Sequence, residues 1–520
     1  MRTLSLATIT TIVLMASALV AAPPTTGSQQ SLPRTADGKP NLAGIWQASS
    51  TAEADIEDHA AGLNMLAGRS VVTGGGPIPY QPWAASQKAE NFKIRAKADP
   101  LNQCYLPGTP RIMYMDYPFQ IFQTPQAVGI TFEWSSVYRL IYTNGTPHPD
   151  VDTWMGDSRG RWEGDTLVVD VAKYNDKTWF DMAGDFHSDA LRVVERYKMT
   201  DADTIQYEAT IEDPKVFTKS WTINVPLHRR DDRERLFEYT CQAEVEEANG
   251  AFTREAKTWY PGDGTMSSET AAAAPSPALP EPVKPVANLK RTGDGKPDLT
   301  GFWESQTPGA NQGLEARGGG RGGRQLIIDP PDGKLPMNEW GMAERVSRKL
   351  TERGYDDPTA HCFPPGVPRA MYVPAALQIM QMPDYVVFLH ERMAWRIVPL
   401  KVTKHLPDSM RLWQGDSLGH WEGDTLVIDT TNLNGQTWLN EGGEIVSYAE
   451  HVVERFTPSA PDTLTYEATV NDPVVYTKPW TISFPVQRKK AEMFETACHE
   501  EDRDLPRLKA LKDAAAAKKK

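Results

Sequence analysis

The chain is short of the residues that build most metal and redox centres, with four cysteines and ten histidines in 520 residues. No two cysteines lie near each other and there is no CxxC, which excludes a cysteine zinc site and a haem-attachment CxxCH. The histidines are scattered without ligand spacing, so no metal centre is expected. HExxH, GxSxG, a Walker loop and a GxGxxG between strand and helix are also missing. Their absence removes the common nucleophile and nucleotide signatures, and no cofactor is expected. Positive charge is in deficit too, with 55 Lys and Arg against 68 Asp and Glu and a formal net charge of −13. A nucleic-acid partner needs a basic face, so none is expected. The one basic tract, RGGGRGGR from Arg317 to Arg324, reads as a flexible loop.

The single markedly apolar run sits at the start, Leu4 to Val20, after one basic residue, Arg2. Small residues follow it, and Ala16-Ser17-Ala18 and Val20-Ala21-Ala22 are candidate cleavage points, with Pro23 unfavourable to cutting after Ala22. Residues 1–22 therefore read as a secretory signal, and a periplasmic or secreted location is expected. Beyond them no run is apolar enough for a membrane helix, so no stable membrane insertion is expected.

The rest of the chain is written twice. RTADGKPNLAGIW (34–46) matches RTGDGKPDLTGFW (291–303), an offset of 303 − 46 = 257. CYLPGTPRIMY from Cys104 matches CFPPGVPRAMY from Cys362, and MGDSRGRWEGDTLVVD from Met155 matches QGDSLGHWEGDTLVID from Gln414. TIQYEATIEDPKVFTKSWTI from Thr204 matches TLTYEATVNDPVVYTKPWTI from Thr463. The reading is a signal at 1–22, repeat 1 at 32–261, a Pro/Ala-rich linker at 262–288, repeat 2 at 289–505 and a tail at 506–520.

TLVVDVAKY, TIQYEATI and KSWTINVPL alternate or run apolar with β-branched and aromatic residues, which predicts strands. WEGDT predicts a hairpin turn at Glu163-Gly164-Asp165, with the aspartate serving the turn. One helix is expected before the first cysteine of each repeat, at 83–98 and 338–354, outside the β core or across its end. The fold class is thus mainly β, two tandem antiparallel barrels each with a short helix. The four cysteines allow three pairings, and duplication selects Cys104 with Cys241 and Cys362 with Cys498, because each ancestral unit had to satisfy itself.

Gly44-Ile45-Trp46 and Gly301-Phe302-Trp303, each followed by strands and a late arginine, resemble the lipocalin or calycin pattern. The longer set of shared motifs resembles a family of uncharacterised exported proteins of soil bacteria. In architecture the tandem is similar to the hydroxyneurosporene synthase group, which implies acid/base chemistry on hydrophobic terpenoids. None of that group's catalytic residues can be matched onto this chain.

The candidate catalytic groups are the recurring carboxylates Asp157, Asp416, Glu195 and Glu454, with His187, which stands where the second repeat has Val446. A loop histidine is ordinarily exposed. Glu195 and Arg196 are strand neighbours and point to opposite faces, so one of them faces inward. Trp154, Trp413, Arg139 and Arg396 are the candidate ligand-binding residues, since tryptophans in a barrel suit an apolar or ring-bearing molecule. The expected function is an exported protein holding a small hydrophobic or aromatic molecule in a barrel pocket. Cofactor-independent hydration, dehydration or isomerisation is an added option. The rival readings are a non-catalytic ligand-binding protein and a carbohydrate-binding or cell-surface module.

Overall fold

The computed structural model describes residues 32–62, 66–233, 235–241, 286–315, 325–348, 354–392, 394–498 and 505–518. The signal segment, the Arg317–Arg324 tract and all but the end of the linker lie outside them.

Nine strands close the first barrel in sequence order: β1 (Gly44–Ala48), β2 (Phe119–Gln123), β3 (Ala127–Phe132), β4 (Tyr138–Tyr142), β5 (Asp157–Glu163), β6 (Thr166–Ala172), β7 (Arg192–Met199), β8 (Thr204–Glu212) and β9 (Trp221–Arg229). All neighbours are antiparallel except β4 and β5, which pair in parallel at Ile141 and Ser158. A parallel pair needs a crossover, which is why a long connection (143–156) separates these two strands. The period-2 pattern does the rest. Along β8, Ile205, Tyr207, Ala209 and Ile211 are buried and alternate with half-exposed neighbours, and Trp221, Ile223, Val225 and Leu227 of β9 face them.

The second barrel-shaped sheet uses β10 (Gly301–Ser305), β11 (Ile327–Asp329), β12 (Ala376–Gln381), β13 (Tyr385–His390), β14 (Ala394–Pro399), β15 (Asp416–Glu422), β16 (Thr425–Thr431), β17 (His451–Ala460), β18 (Thr463–Asn471) and β19 (Trp480–Lys489). Its path runs β14-β13-β12-β10-β19-β18-β17-β16-β15, with β11 added on β19. The end strands β14 and β15 meet across Gly419, where a Cβ would stand 2.7 Å from Val398. Gly160 serves the first barrel likewise, 2.7 Å from Ile141.

Each barrel is latched at its first strand. The Arg229 guanidinium lies 4.3 Å from the Trp46 ring centroid, and Arg488 lies 4.4 Å from that of Trp303. A Cβ on Gly44 would fall on the Arg229 guanidinium, so the glycine of GxW makes room for the late arginine.

The doubled hairpin turns at Gly164-Asp165, with Gly164 at φ +60°. Asp165 does more than serve that turn. Its carboxylate takes a two-pronged bond from Arg34 (2.9 and 2.8 Å), and Asp424 takes the same from Arg291 (2.8 Å each). RTADGKP and WEGD are therefore two ends of one clasp, invisible in sequence because 131 residues separate the partners.

Among the described residues the α-helices are α1 (Pro82–Ala98), α2 (Glu339–Ser347) and α3 (Leu505–Lys518). α1 docks on loops outside the barrel, through Trp83 Nε1 to the Lys215 carbonyl and Asn91 Nδ2 to the Gly184 carbonyl. α3 occupies the segment read as a tail, and its Lys512 pairs with Asp356 (2.7 Å).

Both disulfides form as duplication requires, Cys104–Cys241 and Cys362–Cys498. They clamp two arms that the sequence did not reveal. The arm after β9 lies on the second barrel, where Glu238 accepts from the backbone N–H groups of Trp413 (2.5 Å) and Gln414 (2.9 Å), and Arg235 pairs with Asp416. The arm after β19 returns the exchange. Glu495 accepts from Trp154 N (2.7 Å) and Met155 N (2.9 Å), and Glu492 pairs with Arg159 (2.8 Å). Between the arms an apolar seam joins Ile45, Phe122, Ala127, Tyr138 and Leu236 to Met380, Val387, Leu389 and Trp395. The two halves are thus packed together through an approximately two-fold, arm-exchanged contact.

Candidate functional site

The inward alternation of β7 and β17 carries Glu195 and Glu454 into the barrel interiors, where both side chains are fully buried. Arg196 on the other face pairs with Glu163 at the surface. A buried carboxylate needs a counter-charge and satisfied lone pairs. Arg139 of β4 supplies the charge, donating through Nη1 to Glu195 Oε1 (2.9 Å) and through Nη2 to Oε2. Tyr207 and Tyr197 donate to Glu195 Oε1 at 2.7 and 3.3 Å, and Arg139 Nε donates to Ser158 Oγ (2.9 Å). Burial, reinforced by the Glu195 charge, pushes both tyrosine hydroxyls well above their usual range, so they remain donors.

The second barrel repeats this centre with fewer bonds. Arg396 donates to Glu454 at 2.7 and 3.2 Å and Tyr466 donates at 2.9 Å. Phe456 stands in place of Tyr197, and Ser417 bonds Thr430 instead of the arginine. Arg396 Nε consequently has no hydrogen-bond partner. Four of the sequence candidates, Arg139, Glu195, Arg396 and Glu454, thus meet in two barrel centres.

Asp157 and Asp416 lie elsewhere, at the starts of β5 and β15, and each meets a histidine that sequence reasoning missed. His148 Nδ1 is 2.6 Å from Asp157 and its Nε2 is 3.6 Å from Asp170. His405 bridges Asp416 (2.9 Å) and Asp429 (3.0 Å), and His451 approaches Asp429 at 3.1 Å. The signal was present, because 405 − 148 = 257 is the repeat offset.

Burial opposes charge on His405, but the hydrogen bonds and charges of Asp416 and Asp429 outweigh it and push its pKa up to about 9. A base held above its unfolded value of about 6.5 contributes stability that is complete below that value and lost as pH rises through about 9. The second barrel is expected to lose about 2 kcal/mol between pH 6.5 and 9.5, after allowance for the partial exposure of the site. Urea unfolding across that range checks this, and His405→Gln should flatten the profile. Glu238, raised to about 7 by burial, adds a loss of the same sign that is complete nearer neutrality. The lowered pKa values of Asp416 and Asp429 act only on the acid side.

His187 is buried, not exposed. Its Nε2 shares a hydrogen bond with Thr178 Oγ1 (2.6 Å), its Nδ1 lies 2.9 Å from the Ser188 carbonyl, and burial lowers its pKa. The loop that carries it is folded under by Asp213, which accepts from Ser188 N (2.6 Å) and Oγ (2.9 Å). Trp154 and Trp413 sit at the arm contacts, against Tyr105 (5.1 Å) and Phe363 (4.6 Å). Other shared charges are clamps as well. Arg111 grips Asp99 and Arg369 grips Asp357, each through two buried bonds of 2.7 to 2.9 Å, which accounts for the arginine shared by CYLPGTPR and CFPPGVPR.

Among the described residues, one trio of carboxylates could hold a cation, Asp55, Asp181 and Asp185. Lys88 already stands 3.6 Å from Asp185, and three backbone N–H groups donate to Asp181, so the trio is built into the loop structure. An open groove lined by Ser49, Thr51, Ser70, Thr73 and Asn224 runs over the outside of the first barrel and does not reach either centre.

The fold and its centres define a tandem β-barrel protein with a buried arginine–carboxylate pair in each barrel. No protein-family model matches the chain, and no curated protein matches it. Among solved structures it is similar to a protein of unknown function from the DUF3598 family of Nostoc punctiforme, at 7% identity, over 72% of this chain and 88% of that one, with a TM-score of 0.14. At that score the superposition carries no argument, and the site rests on its own residues.

Proposed function

We propose that this chain is an exported tandem-barrel protein that holds a small, largely hydrophobic or aromatic molecule inside a barrel. The observation that carries the reading is the construction of each interior. Apolar and aromatic walls surround a fixed arginine–glutamate pair, the arrangement by which small-molecule sites combine affinity with orientation. Export is supported by the two disulfides, which persist in oxidising compartments, together with the apolar N-terminal run. Among the described residues no helix is long and apolar enough to cross a membrane.

Holding is preferred to chemistry because Glu195 and Glu454 are each engaged by an arginine and are poorly placed to exchange protons. The test is native mass spectrometry of the mature protein from its own host, followed by organic extraction. A retained hydrophobic or aromatic compound that rebinds with saturable tryptophan quenching is expected. A protein that carries nothing and whose fluorescence no such compound quenches would sink the reading, and retention on polysaccharide would favour the surface-module rival.

A further inference from the structure

Three apolar positions of the first interior carry polar side chains in the second. Phe132, Met155 and Leu191 belong to the continuous apolar core of the first barrel. Their counterparts in the second repeat, at offsets 390 − 132 = 258, 414 − 155 = 259 and 450 − 191 = 259, are His390, Gln414 and Glu450. All three remain buried, at 3%, 3% and 2% exposure.

Ordinary core drift exchanges one apolar side chain for another, because a buried polar group forfeits its hydration unless the protein replaces it. At two of the three positions the protein does not. Neither carboxyl oxygen of Glu450 has a hydrogen-bond partner, and neither the amide nitrogen nor the amide oxygen of Gln414 has one. Arg396 Nε is orphaned in the same barrel. Glu450 lies within electrostatic reach of Asp472 and Glu454, and His390 within reach of Arg396.

We propose that the second barrel, not the first, is the one that holds the ligand, and that the ligand is a small uncharged molecule whose hydroxyl or carbonyl oxygen bonds the orphaned Glu450 and Gln414 side chains. The inference rests on the small-molecule reading above and deepens it. Neutrality follows from the partners. Arg396 and Glu454 cancel each other, and Gln414 carries no charge. The Glu450 carboxyl is buried with no donor facing either oxygen, and burial pushes its pKa well above the usual carboxylate range, while burial, with Arg396 adding to it, pushes His390 down to about 3. A charged ligand would find no counter-ion here.

The experiment compares the full-length mature protein with Glu450→Leu, Glu450→Gln, Gln414→Met and the first-barrel control Met155→Leu. The probes are cyclohexanone, cyclohexanol, methylcyclohexane and cyclohexanecarboxylate, read by tryptophan quenching and thermal shift. Wild type and Met155→Leu are expected to bind the ketone and the alcohol alike and to reject the carboxylate. Glu450→Leu and Gln414→Met should each weaken the oxygenated probes at least tenfold, while Glu450→Leu unfolds at a higher temperature because it restores the residue of the first barrel. Glu450→Gln keeps the volume and a donor, and should lose less. If the oxygenated probes bind all the variants equally, or only Met155→Leu weakens them, the assignment to the second barrel is overturned while the small-molecule reading stands. If no probe binds and native mass spectrometry finds no retained compound, both fall.

Discussion

Replacing Glu195 with alanine while Arg139 stays in place is expected to destabilise the first barrel by about 3–5 kcal/mol. The cost is not that of the ion pair alone. Arg139 is 3% exposed and would be left as an uncompensated buried charge. Tyr207 and Tyr197 would lose their shared acceptor at the same time, since both donate to Glu195 Oε1. Removing both charges together, as in Arg139→Leu with Glu195→Leu, should recover most of the loss, because apolar residues of similar volume replace a buried pair at little net cost. Urea unfolding followed by fluorescence measures all of these. A loss below about 1 kcal/mol for Glu195→Ala would show that water reaches the pair, contrary to its complete burial. In the second barrel the corresponding Glu454→Ala should also be costly, though only one tyrosine loses its acceptor there.

Removing the Cys104–Cys241 bridge by a double serine replacement is expected to cost about 4–5 kcal/mol in the chain-entropy treatment, because the bridge closes a loop with a sequence separation of 137 residues. A second consequence follows from where Cys241 lies. It ends the arm that carries Glu238 and Arg235 onto the second barrel, so the bridge also fixes the contact between halves. The double variant should unfold at a lower temperature and be cut faster by trypsin at Arg233 and Arg235. Cys362 and Cys498 should behave likewise through Glu495 and Glu492. Unchanged cleavage at the arm, with the thermal loss present, would mean that the arm is held by its other contacts, such as Tyr239 N to the Glu133 carbonyl (3.2 Å).

Much of the scaffold was legible in the chain itself. Alternation in TIQYEATI and KSWTINVPL pointed to strands with one buried face, and the structure has β8 and β9 there. Duplication selected the disulfide pairing, and the opposite-face rule placed one of Glu195 and Arg196 inside. These are local or repeat-level facts, and sequence carries them directly.

What sequence did not show were the long-range partners. Nothing near Glu195 names Arg139, 56 residues away, as its counter-ion. That pairing depends on how many strands intervene and how the barrel closes across β4 and β5. Asp165 read as turn chemistry until closure brought Arg34 to it, and His187 read as an exposed loop residue until Asp213 and Thr178 folded its loop inward. The arm exchange depends on the packing of one half against the other, which leaves no periodicity to read. By itself the sequence determined the strands, the two-fold repetition and the covalent bridges, because backbone alternation and duplication are written residue by residue. Only the tertiary structure decided which charges meet, which histidines are clasped and which polar groups of the second barrel stand without partners, because closing a sheet brings together side chains that the chain order keeps far apart.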